Sequence, residues 1–467
     1  MFIPRTFSEL AVIYKNAGFE LVLVGGAVRD LLLSIDPLDL DFATDARPQD
    51  SIRVLRDAGL RPLTVGAEYG SIHVEQSDKR YEITTYRKAE HYERGSRRPK
   101  VRYGSSLTED LWRRDLTINA MAMRPDGRLF DPYGGSEDLV KRVLRVPAEA
   151  GRGAIRAMAS LDEDPLRILR VVRYGARYNA EPDQDLESAM AALAPRVEEL
   201  PIERAVAEIE GLLLGTHPDH GLRLMRRYGL IDCYMPQLLA TMGCEQPESW
   251  HNLDVWEHTL AVVRATAATP LLRWSALVHD IGKPVVLAKG GAEGGGIPDH
   301  ARAGAELWWN MARGLRLQRK LIDEVLVLQS LHSRPGDIAR EGSSDDATLR
   351  RLAAELPAEL IAPLLGLAYA DVLGQRPEDL EEMMARLDHI RERMEALEAQ
   401  GQLRPSFSKG FAASLAKELG IGRGPQLGRV MDVLRQAMID GAPPIGSTPE
   451  RCARWLEEVQ WNERKLT

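Results

Sequence analysis

The sequence has few cysteines, no long apolar run and no strong excess of one charge. Its three cysteines, Cys233, Cys244 and Cys452, are scattered without CxxC spacing, which argues against a disulfide framework or a zinc ribbon and fits a reducing cytoplasm. No segment approaches the ~18 consecutive apolar residues that a membrane helix needs. We therefore expect a soluble, unexported, cytoplasmic protein that does not bind a membrane.

The charge balance limits what the whole surface does. Lysine and arginine total 61 and aspartate and glutamate total 69, a formal net charge of −8. This balance argues against a protein that coats nucleic acid with its entire surface, so any polyanion site must be local. With 467 residues, 44% of them hydrophobic, the chain has enough apolar material for several domains. No residue pattern indicates an oligomeric state.

The hydrophobic pattern changes its period along the chain. Up to about residue 138, period-two segments such as residues 21–24 and 81–86 alternate with short helical stretches, which predicts an α+β domain. From about residue 139, windows of 3.6-residue period dominate, for example residues 166–178, so we expect the remainder to be nearly all helical. Turn-rich breaks occur near residues 245–247, 290–298 and 400–408.

A glycine pair follows the first predicted strand. Residues 21–24 form an apolar run, Gly25 and Gly26 predict a tight turn, and residues 27–33 predict a helix. Free amides at such a helix start suit a phosphate, and Arg29 in the first turn adds a fork of donors for a triphosphate. Taken alone, a glycine pair between strand and helix is more often a packing device.

Two aspartates follow in a second alternating segment, residues 38–42. The alternation places Asp39 and Asp41 on one face, where their like charges favour a shared cation, and hard oxygen ligands favour Mg²⁺. Glu82, on another alternating segment, is a candidate third ligand or general base. The alternative is that all three are solvated carboxylates on exposed strands.

An arginine-rich segment comes next. Arg114 is suited to triphosphate oxygens, and Asp115 or Asn119 to ribose hydroxyls. In residues 87–114 basic residues outnumber acidic ones, which predicts a local RNA-binding patch that includes Arg97 and Arg98. The alternative is a solvated charged loop.

These motifs occur in a recognisable order. They are Gly25-Gly26-Ala27-Val28-Arg29-Asp30, Asp39-Leu40-Asp41, Arg113-Arg114-Asp115-Leu116-Thr117-Ile118-Asn119-Ala120 and Glu163-Asp164-Pro165-Leu166-Arg167. Their order and spacing over roughly the first 200 residues resemble the class II tRNA nucleotidyltransferases, that is, the bacterial CCA-adding enzymes and their poly(A) polymerase relatives. The resemblance implies CTP and ATP as substrates and the tRNA 3′ end as the partner.

The resemblance also implies roles for single residues. Asp39 and Asp41 would bind two divalent metals while an RNA 3′-hydroxyl attacks the α-phosphate and pyrophosphate leaves. Gly25, Gly26 and Arg29 would hold the triphosphate, with Arg114, Asp115 and Asn119 near the ribose and phosphates. Residues 163–173 resemble the family's nucleotide-choosing helix, in which i,i+3 spacing sets Asp164 beside Arg167 for the base edge of cytosine or adenine. Arg170 and Arg173 would reach the triphosphate or the RNA backbone.

A second group of residues lies in the helical part. His258, His279, Asp280 and Asp371 together resemble the ligand pattern of the HD phosphohydrolase superfamily, and His300 and His332 fall where a second metal or a phosphate is bound. The resemblance implies hydrolysis of a phosphomonoester or a 2′,3′-cyclic phosphate with Mg²⁺ or a divalent transition metal such as Ni²⁺, Mn²⁺ or Co²⁺. The alternative is a vestigial or purely structural metal module.

The resemblance implies an α+β fold with a nucleotidyltransferase-fold head, which contains a small mixed sheet, followed by all-α neck, HD and tail domains. The expected boundaries are residues 1–138 for the head, 139–248 for the neck and body, 249–380 for the HD domain and 381–467 for the tail. In the tail, the turn Gly422-Arg423-Gly424-Pro425 before a helix places Arg423 where it would bind an RNA phosphate. A plain packing turn is the alternative.

Four other functions stay open. An enzyme that adds only the terminal A fits the same motifs. A CC-only enzyme fits less well, because such enzymes characteristically lack part of the loop that is full length here at residues 87–105. A poly(A) polymerase would carry a basic C-terminal extension and no HD segment. An HD phosphodiesterase with a degenerate head is disfavoured by the intact head motifs.

Overall fold

The computed structural model describes residues 3–37, 39–76, 79–92, 99–104, 106–246, 253–289, 299–373 and 377–459. The chain divides into two compact units. The first unit contains Met1–Leu239 with Gly314–Arg316, and the second contains Ala240–Arg313 with Leu317–Thr467. The α+β class expected from the sequence is confirmed: the first unit contains a seven-stranded mixed sheet and two two-stranded sheets together with helices, and the described residues of the second unit are helical.

The first unit contains all of the strands found among the described residues. Its strands are β1 (Leu21–Val24), β2 (Asp41–Thr44), β3 (Pro62–Leu63), β4 (Ser71–Gln76), β5 (Lys79–Thr85), β6 (Arg87–Tyr92), β7 (Pro99–Tyr103), β8 (Ala122–Met123), β9 (Leu129–Phe130), β10 (Val143–Leu144) and β11 (Glu181–Pro182). Its helices are α1 (Arg5–Asn16), α2 (Gly26–Leu32), α3 (Pro48–Asp57), α4 (Leu107–Trp112), α5 (Gly135–Lys141), α6 (Gly153–Glu163), α7 (Leu166–Tyr178), α8 (Gln184–Leu193), α9 (Ile202–Leu213), α10 (Pro218–Arg227) and α11 (Leu230–Tyr234). Short 3₁₀ turns are Ala67–Tyr69, Thr117–Asn119, Ala194–Glu199 and Pro236–Thr241.

The main sheet has seven strands in the order β3-β4-β5-β2-β1-β8-β9. The pair β2 and β5 is parallel and the other neighbours are antiparallel, so the sheet is mixed as expected. Strand β1 is apolar throughout because both of its faces are buried. Leu21 and Leu23 enter the core beneath α1 and α3, and Val22 and Val24 enter the core on the other face.

The helices of the first unit pack closely at two glycines. Gly175 of α7 faces Leu224 of α10, and Gly221 of α10 faces Ala176 of α7 and Leu212 of α9. A Cβ atom on Gly221 would lie 2.6 Å from the Cβ of Ala176 and 2.7 Å from the Cγ of Leu212. These contacts determine how closely α7, the expected nucleotide-choosing helix, packs against α9 and α10.

The second unit is helical in its described residues. Its helices are α12 (Val255–Ala265), α13 (Pro270–Val278), α14 (Lys283–Leu287), α15 (His300–Gly314), α16 (Arg319–Leu331), α17 (Arg334–Glu341), α18 (Asp346–Ala354), α19 (Ile361–Val372), α20 (Pro377–Ala399), α21 (Phe411–Leu419), α22 (Pro425–Ile439) and α23 (Pro449–Glu458), with a 3₁₀ turn at Ala358–Leu360. The last three helices share a separate apolar core around Leu415, Leu434 and Cys452.

Among the described residues, no single helix has the length and apolar character to cross a membrane. One pair of helical segments, Asp346–Ala354 with Ala358–Val372, meets the length and composition criteria jointly, but it is bent by 110° at the break.

Several local predictions differ from the structure. The strand expected at residues 38–42 begins only at Asp41, so Asp39 lies in the bend before it. The helix expected at residues 163–173 begins only at Leu166. Asp164 has an extended backbone, and Pro165 is the N-cap of this helix, α7. Beyond residue 139, the short parallel pair β10 and β11 departs from the all-helical expectation. The four-domain division stays a prediction.

The glycine contact between α7, α9 and α10 yields a stability prediction. Gly221→Ala should destabilise the first unit by about 1–3 kcal/mol, because the new methyl group overlaps two side chains that cannot swing away. Thermal and urea unfolding of the full chain measures the change. The matched control is Gly428→Ala on the exposed face of α22, where a Cβ meets nothing within 4 Å. That variant should be neutral or slightly stabilising; an equal loss in both would contradict the packing argument.

Candidate functional site

A cavity of about 600 Å³ lies in the first unit, beside the start of β2, where Asp41 is located. It brings together the residues predicted to bind the nucleotide and its metal ions, and of the predicted catalytic residues only Glu82 is not in its lining. The predicted residues that line it are Gly25, Gly26, Arg29, Asp39, Asp41, Arg114, Asp115, Asn119, Asp164, Arg167, Arg170 and Arg173. Tyr174, Arg177 and Arg204 complete the wall on the side of α7 and α9.

The carboxylates of the cavity lie at the start of β2. Asp41 is the first residue of β2 and is paired in register with Glu82 of β5, so these two side chains are neighbours across the sheet. Desolvation and the negative charges of Glu82 and Asp39 raise the pKa of Asp41, with Arg114 and His73 opposing. Like charges held this close are relieved by a cation, and oxygen ligands suit Mg²⁺. The residues present therefore fit a divalent metal.

The glycine pair has a packing role at the cavity. Gly25 has φ 68°, and a Cβ there would lie 2.8 Å from Nη1 of Arg114. A Cβ on Gly26 would lie 3.2 Å from Nη2 of Arg29. The positive φ at Gly25 favours glycine, and a side chain there would also crowd the guanidinium group of Arg114.

Arg29 is almost fully buried in the cavity wall. It is 3% exposed, it donates to Asp30 at 3.0 and 3.2 Å, and it donates to the side-chain oxygen of Asn119. Its guanidinium also lies 5.3 and 5.1 Å from the ring centres of Tyr174 and Tyr178. In the described chain Arg29 thus organises the wall, and only part of it faces the space where a triphosphate was expected.

Asp115 continues this buried network toward α7. It accepts a hydrogen bond from Asn119 at 3.0 Å and another from Nε of Arg170 at 2.7 Å. Burial by itself would raise the pKa of Asp115, but Arg170 and Asn119 outweigh it and lower that pKa. Arg170, whose own pKa Asp115 raises, is therefore held as one half of an ion pair.

Glu208 on α9 is a residue that sequence reasoning missed. It is 8% exposed and forms ion pairs with Arg173 at 2.8 Å and with Arg170 at 3.6 Å. Desolvation raises its pKa, and the two arginines oppose that effect. Its apolar neighbours in α9 were the one sequence signal, because a glutamate on the buried face of an amphipathic helix needs a positive partner.

Asp110 is a second missed residue. It is 1% exposed and pairs with Arg113 at 2.9 Å and Arg114 at 3.0 Å, three and four residues later. It also accepts the backbone amide of Arg87. Burial acts against ionisation, yet the two arginines lower the pKa of Asp110. Asp110 therefore fixes the guanidinium of Arg114 against the glycine turn.

Asp164 and Arg167 line the same cavity, and each is held by partners of its own. Asp164 precedes α7, accepts the amide of Leu166 at 3.1 Å and receives Arg204 at 3.4 Å. Arg167 donates to the hydroxyl of Ser160 at 2.5 Å and to the carbonyl of Arg113 at 3.0 Å. Asp164 has an extended backbone and Pro165 is the N-cap of α7, so Asp164 reaches the cavity from the segment before the helix and Arg167 from its first turn.

The predicted histidines converge in the second unit. Nε2 of His258 lies 2.9 Å from Asp371 and 3.2 Å from Nε2 of His279. Oδ2 of Asp280 lies 3.1 Å from His279, while Oδ1 lies 3.4 Å from His332 and 3.5 Å from His300.

Asp280 is thus shared by two ligand groups, each with donor atoms within 4.8 Å of one another. Its two buried oxygens face the four histidines and the ammonium group of Lys283. Imidazole nitrogens with carboxylate oxygens are a suitable donor set for divalent ions. The residues present fit two metal positions that share Asp280.

The charges of this centre stabilise one another. Burial by itself would raise the pKa of Asp280 and Asp371 and lower that of His279. The opposite charges outweigh burial, so the pKa of both carboxyl groups is lowered and that of His279 is raised. Lys283, another missed residue, contributes to the low pKa of Asp280 from a distance of 2.5 Å.

Close backbone packing brings His300 to this centre. A Cβ on Gly282 would overlap the carbonyl oxygen of His300, and a Cβ on Gly304 would overlap the amide of Gln329. Gln329, fully buried, donates in turn to the carbonyl of Ala301 at 3.0 Å. The start of α15 can therefore approach the end of α13 only because both positions are glycine.

Two of the predicted RNA contacts fall outside the described residues. Arg97 and Arg98 lie in residues 93–98, which the structure does not describe. Arg423 is exposed in the turn between α21 and α22, one residue before the N-cap Gly424. The helix expected after this turn is confirmed as α22 (Pro425–Ile439).

Three protein families match successive parts of the chain. The family described as the poly A polymerase head domain matches residues 21–145, and a probable RNA and SrmB binding site of polymerase A matches residues 181–242. The HD domain family matches residues 253–386.

Curated relatives match over most of the chain. The CCA-adding enzyme of Geobacillus thermodenitrificans is 30% identical over 454 residues, which cover 96% of this chain and 95% of that protein. The chain belongs to the class II tRNA nucleotidyltransferases. The A-adding tRNA nucleotidyltransferase of Deinococcus radiodurans is also 30% identical, over 94% of this chain and 96% of that protein. The match to the Streptococcus gordonii CCA-adding enzyme, at 38% identity, covers 57% of that relative.

A solved structure has the same fold. The Bacillus stearothermophilus CCA-adding enzyme in complex with CTP is similar over 100% of both chains, with a TM-score of 0.66 and 25% identity. This tRNA nucleotidyltransferase is therefore a transferase with a nucleotidyltransferase head and an HD domain.

Glu208 yields a prediction for this nucleotidyltransferase. Glu208→Gln removes the charge that Arg170 and Arg173 share, so the apparent KM for the incoming nucleotide should rise about tenfold, with a stability loss of about 1–3 kcal/mol. Steady-state incorporation at varied nucleotide concentration measures the first effect, and thermal unfolding the second. Glu203→Gln, an exposed position on the same helix, is the control and should change neither. A Glu208→Gln enzyme with unchanged kinetics would refute this role.

Proposed function

We propose that this protein completes tRNA 3′ ends by adding CCA from CTP and ATP without a nucleic-acid template. One observation carries the proposal. The carboxylates Asp39 and Asp41 and the segment that holds Asp164 and Arg167 line a single cavity of nucleotide size. A reacting end and a base-reading end are therefore available on one protein surface.

The head residues then take distinct roles. The RNA 3′-hydroxyl attacks the α-phosphate in line and pyrophosphate leaves; Mg²⁺ held by Asp39 and Asp41 would neutralise the charge that develops on the reacting oxygens. Glu82, beside Asp41, adds negative charge that strengthens cation binding. Arg114, fixed by Asp110, faces the glycine turn where the phosphates would lie.

Base choice would come from side chains that are held before a nucleotide binds. Asp164 offers carboxylate oxygens and Arg167 offers N–H donors, the polarity that cytosine and adenine edges require. Arg204 and Ser160 hold these two side chains in place. Such preorganisation lets one pocket accept CTP and ATP and disfavour GTP and UTP. Arg97, Arg98 and Arg423 are proposed contacts to the tRNA backbone.

Addition of the terminal A alone is the second candidate. It is favoured by the relative from Deinococcus radiodurans, which matches this chain at the same 30% identity as a CCA-adding relative. The two activities differ in which tRNA end is accepted, and both use the same motifs.

Extension of three tRNA transcripts separates the candidates. Transcripts that end at the discriminator base, in CC or in CCA are incubated with CTP, ATP or both and resolved at single nucleotides. We expect the first transcript to gain CCA and stop. Growth of the CC-ended transcript alone, by one A, would identify an A-adding enzyme, and a long run of A a poly(A) polymerase.

The same assay tests the metal ligands. Asp39→Asn with Asp41→Asn should lower incorporation at least about 100-fold, since the charge that holds the cation is lost. Asp57→Asn, an exposed aspartate at the end of α3, is the matched control and should retain full activity. Incorporation that survives the double substitution would show that the metal assignment is wrong.

For the second unit we propose a metal-dependent phosphohydrolase acting on 2′,3′-cyclic phosphates or phosphomonoesters. The support is the shared Asp280 between two histidine groups. Divalent ions bound there would activate a water molecule and polarise the phosphate. A vestigial metal module is the alternative.

Hydrolysis of 2′,3′-cyclic AMP and of p-nitrophenyl phosphate tests this proposal. His279→Ala with Asp280→Ala should lower the rate at least about 100-fold in the presence of Mn²⁺, Ni²⁺, Co²⁺ or Mg²⁺. His389→Ala, on an exposed face of α20, is the control. No hydrolysis by the unaltered protein with any of these ions would favour the vestigial module.

A further inference from the structure

Lys283 occupies an unusual position beside the candidate metal centre of the second unit. Its Nζ lies 2.5 Å from Oδ2 of Asp280, the oxygen that also faces His279 and His258. The lysine residue is 8% exposed and the aspartate 2% exposed, so water screens this contact weakly. An ammonium group therefore already neutralises the carboxylate that both ligand groups share.

Lys283 has a second partner. Its Nζ also donates to Oε1 of Gln246 at 2.7 Å, and Nε2 of Gln246 donates to the carbonyl of Leu253 at 3.2 Å. Gln246 is itself 8% exposed. The amide oxygen is thus fixed where it can hold the ammonium group when the carboxylate takes another cation.

A metal ion and Lys283 cannot both occupy Oδ2 of Asp280 without repulsion. A divalent ion bound by His258, His279 and Asp280 would lie a few ångströms from the ammonium group, and like charges at that range in a buried site repel strongly. Binding of the metal would therefore require the ammonium group to leave Oδ2 of Asp280 while it keeps its hydrogen bond to Gln246.

We propose that Lys283 is a built-in counter-ion that competes with the metal for Asp280 and so sets the metal affinity of this centre, with Gln246 as the partner that retains the ammonium group when the metal binds. The inference rests on the proposed metal centre of the second unit but not on its hydrolytic activity. Lys283 is a positioning residue in this scheme, because it acts on Asp280.

Direct metal binding tests the proposal. The full-length protein carrying Asp39→Asn and Asp41→Asn serves as host, so that Mn²⁺ binding reports the second unit, and titration with Mn²⁺ alone is followed by calorimetry and by electron paramagnetic resonance. Lys283→Met should lower the Kd at least about tenfold with unchanged stoichiometry, since the competing charge is gone. Gln246→Leu should raise the Kd several-fold, because the ammonium group of Lys283 then has no amide oxygen to hold it when the metal takes Asp280.

Opposite shifts in the two variants are the signature that a merely structural role would not produce. Lys289→Met, an exposed lysine just after α14, is the matched control and should bind Mn²⁺ as the host does. An unchanged or weaker affinity in Lys283→Met overturns the proposal, as does an unchanged affinity in Gln246→Leu. If Lys283→Met does not fold, Gln246→Leu decides alone.

A different result marks failure of the metal centre itself. Addition of His279→Ala and Asp280→Ala to the host should abolish the Mn²⁺ signal. If neither the host nor Lys283→Met binds more Mn²⁺ than the variant with His279→Ala and Asp280→Ala, the proposed metal centre is refuted. The proposed competition is then refuted with it. Metal binding without hydrolysis would instead refute only the hydrolase.

Discussion

Pairing of buried charges is the constraint on which the head site depends. Arg29, Asn119, Asp115, Arg170 and Glu208 form one chain of hydrogen bonds and ion pairs that crosses the cavity wall. A buried charge without a partner costs several kcal/mol, so each member of the chain requires the next. The head strands and α7 and α9 are thereby held in one arrangement around the cavity.

This network changes how the arginines of the motif are understood. Arg29 and Arg170 would each be assigned to a triphosphate from their residue type alone, yet both carry internal partners. Their positive charges are therefore largely offset by these partners, so they would act on a bound nucleotide mainly as oriented hydrogen-bond donors. Such a surface favours a defined geometry over tight, unspecific binding of polyanions.

The second unit handles buried charge in the opposite way. Four histidines and the ammonium group of Lys283 surround Asp280. The head charges pair within the protein, whereas here imidazole nitrogens and carboxylate oxygens converge in a donor set that suits a divalent cation. Glycine contacts at Gly282 and Gly304 maintain that geometry, because any side chain there would push α15 away.

Local spacing in the sequence determined the elements and the short-range motifs. The apolar run of β1, the periodicity of α7 and α22, the glycine turn and the two aspartates were all predictable, because each depends on residues a few positions apart. The tertiary structure alone decided the partners. Arg29 meets Asn119 90 positions away, and Arg170 meets Asp115 55 positions away. Pairs at such separations depend on how helices pack against the sheet and one another, which no local pattern encodes.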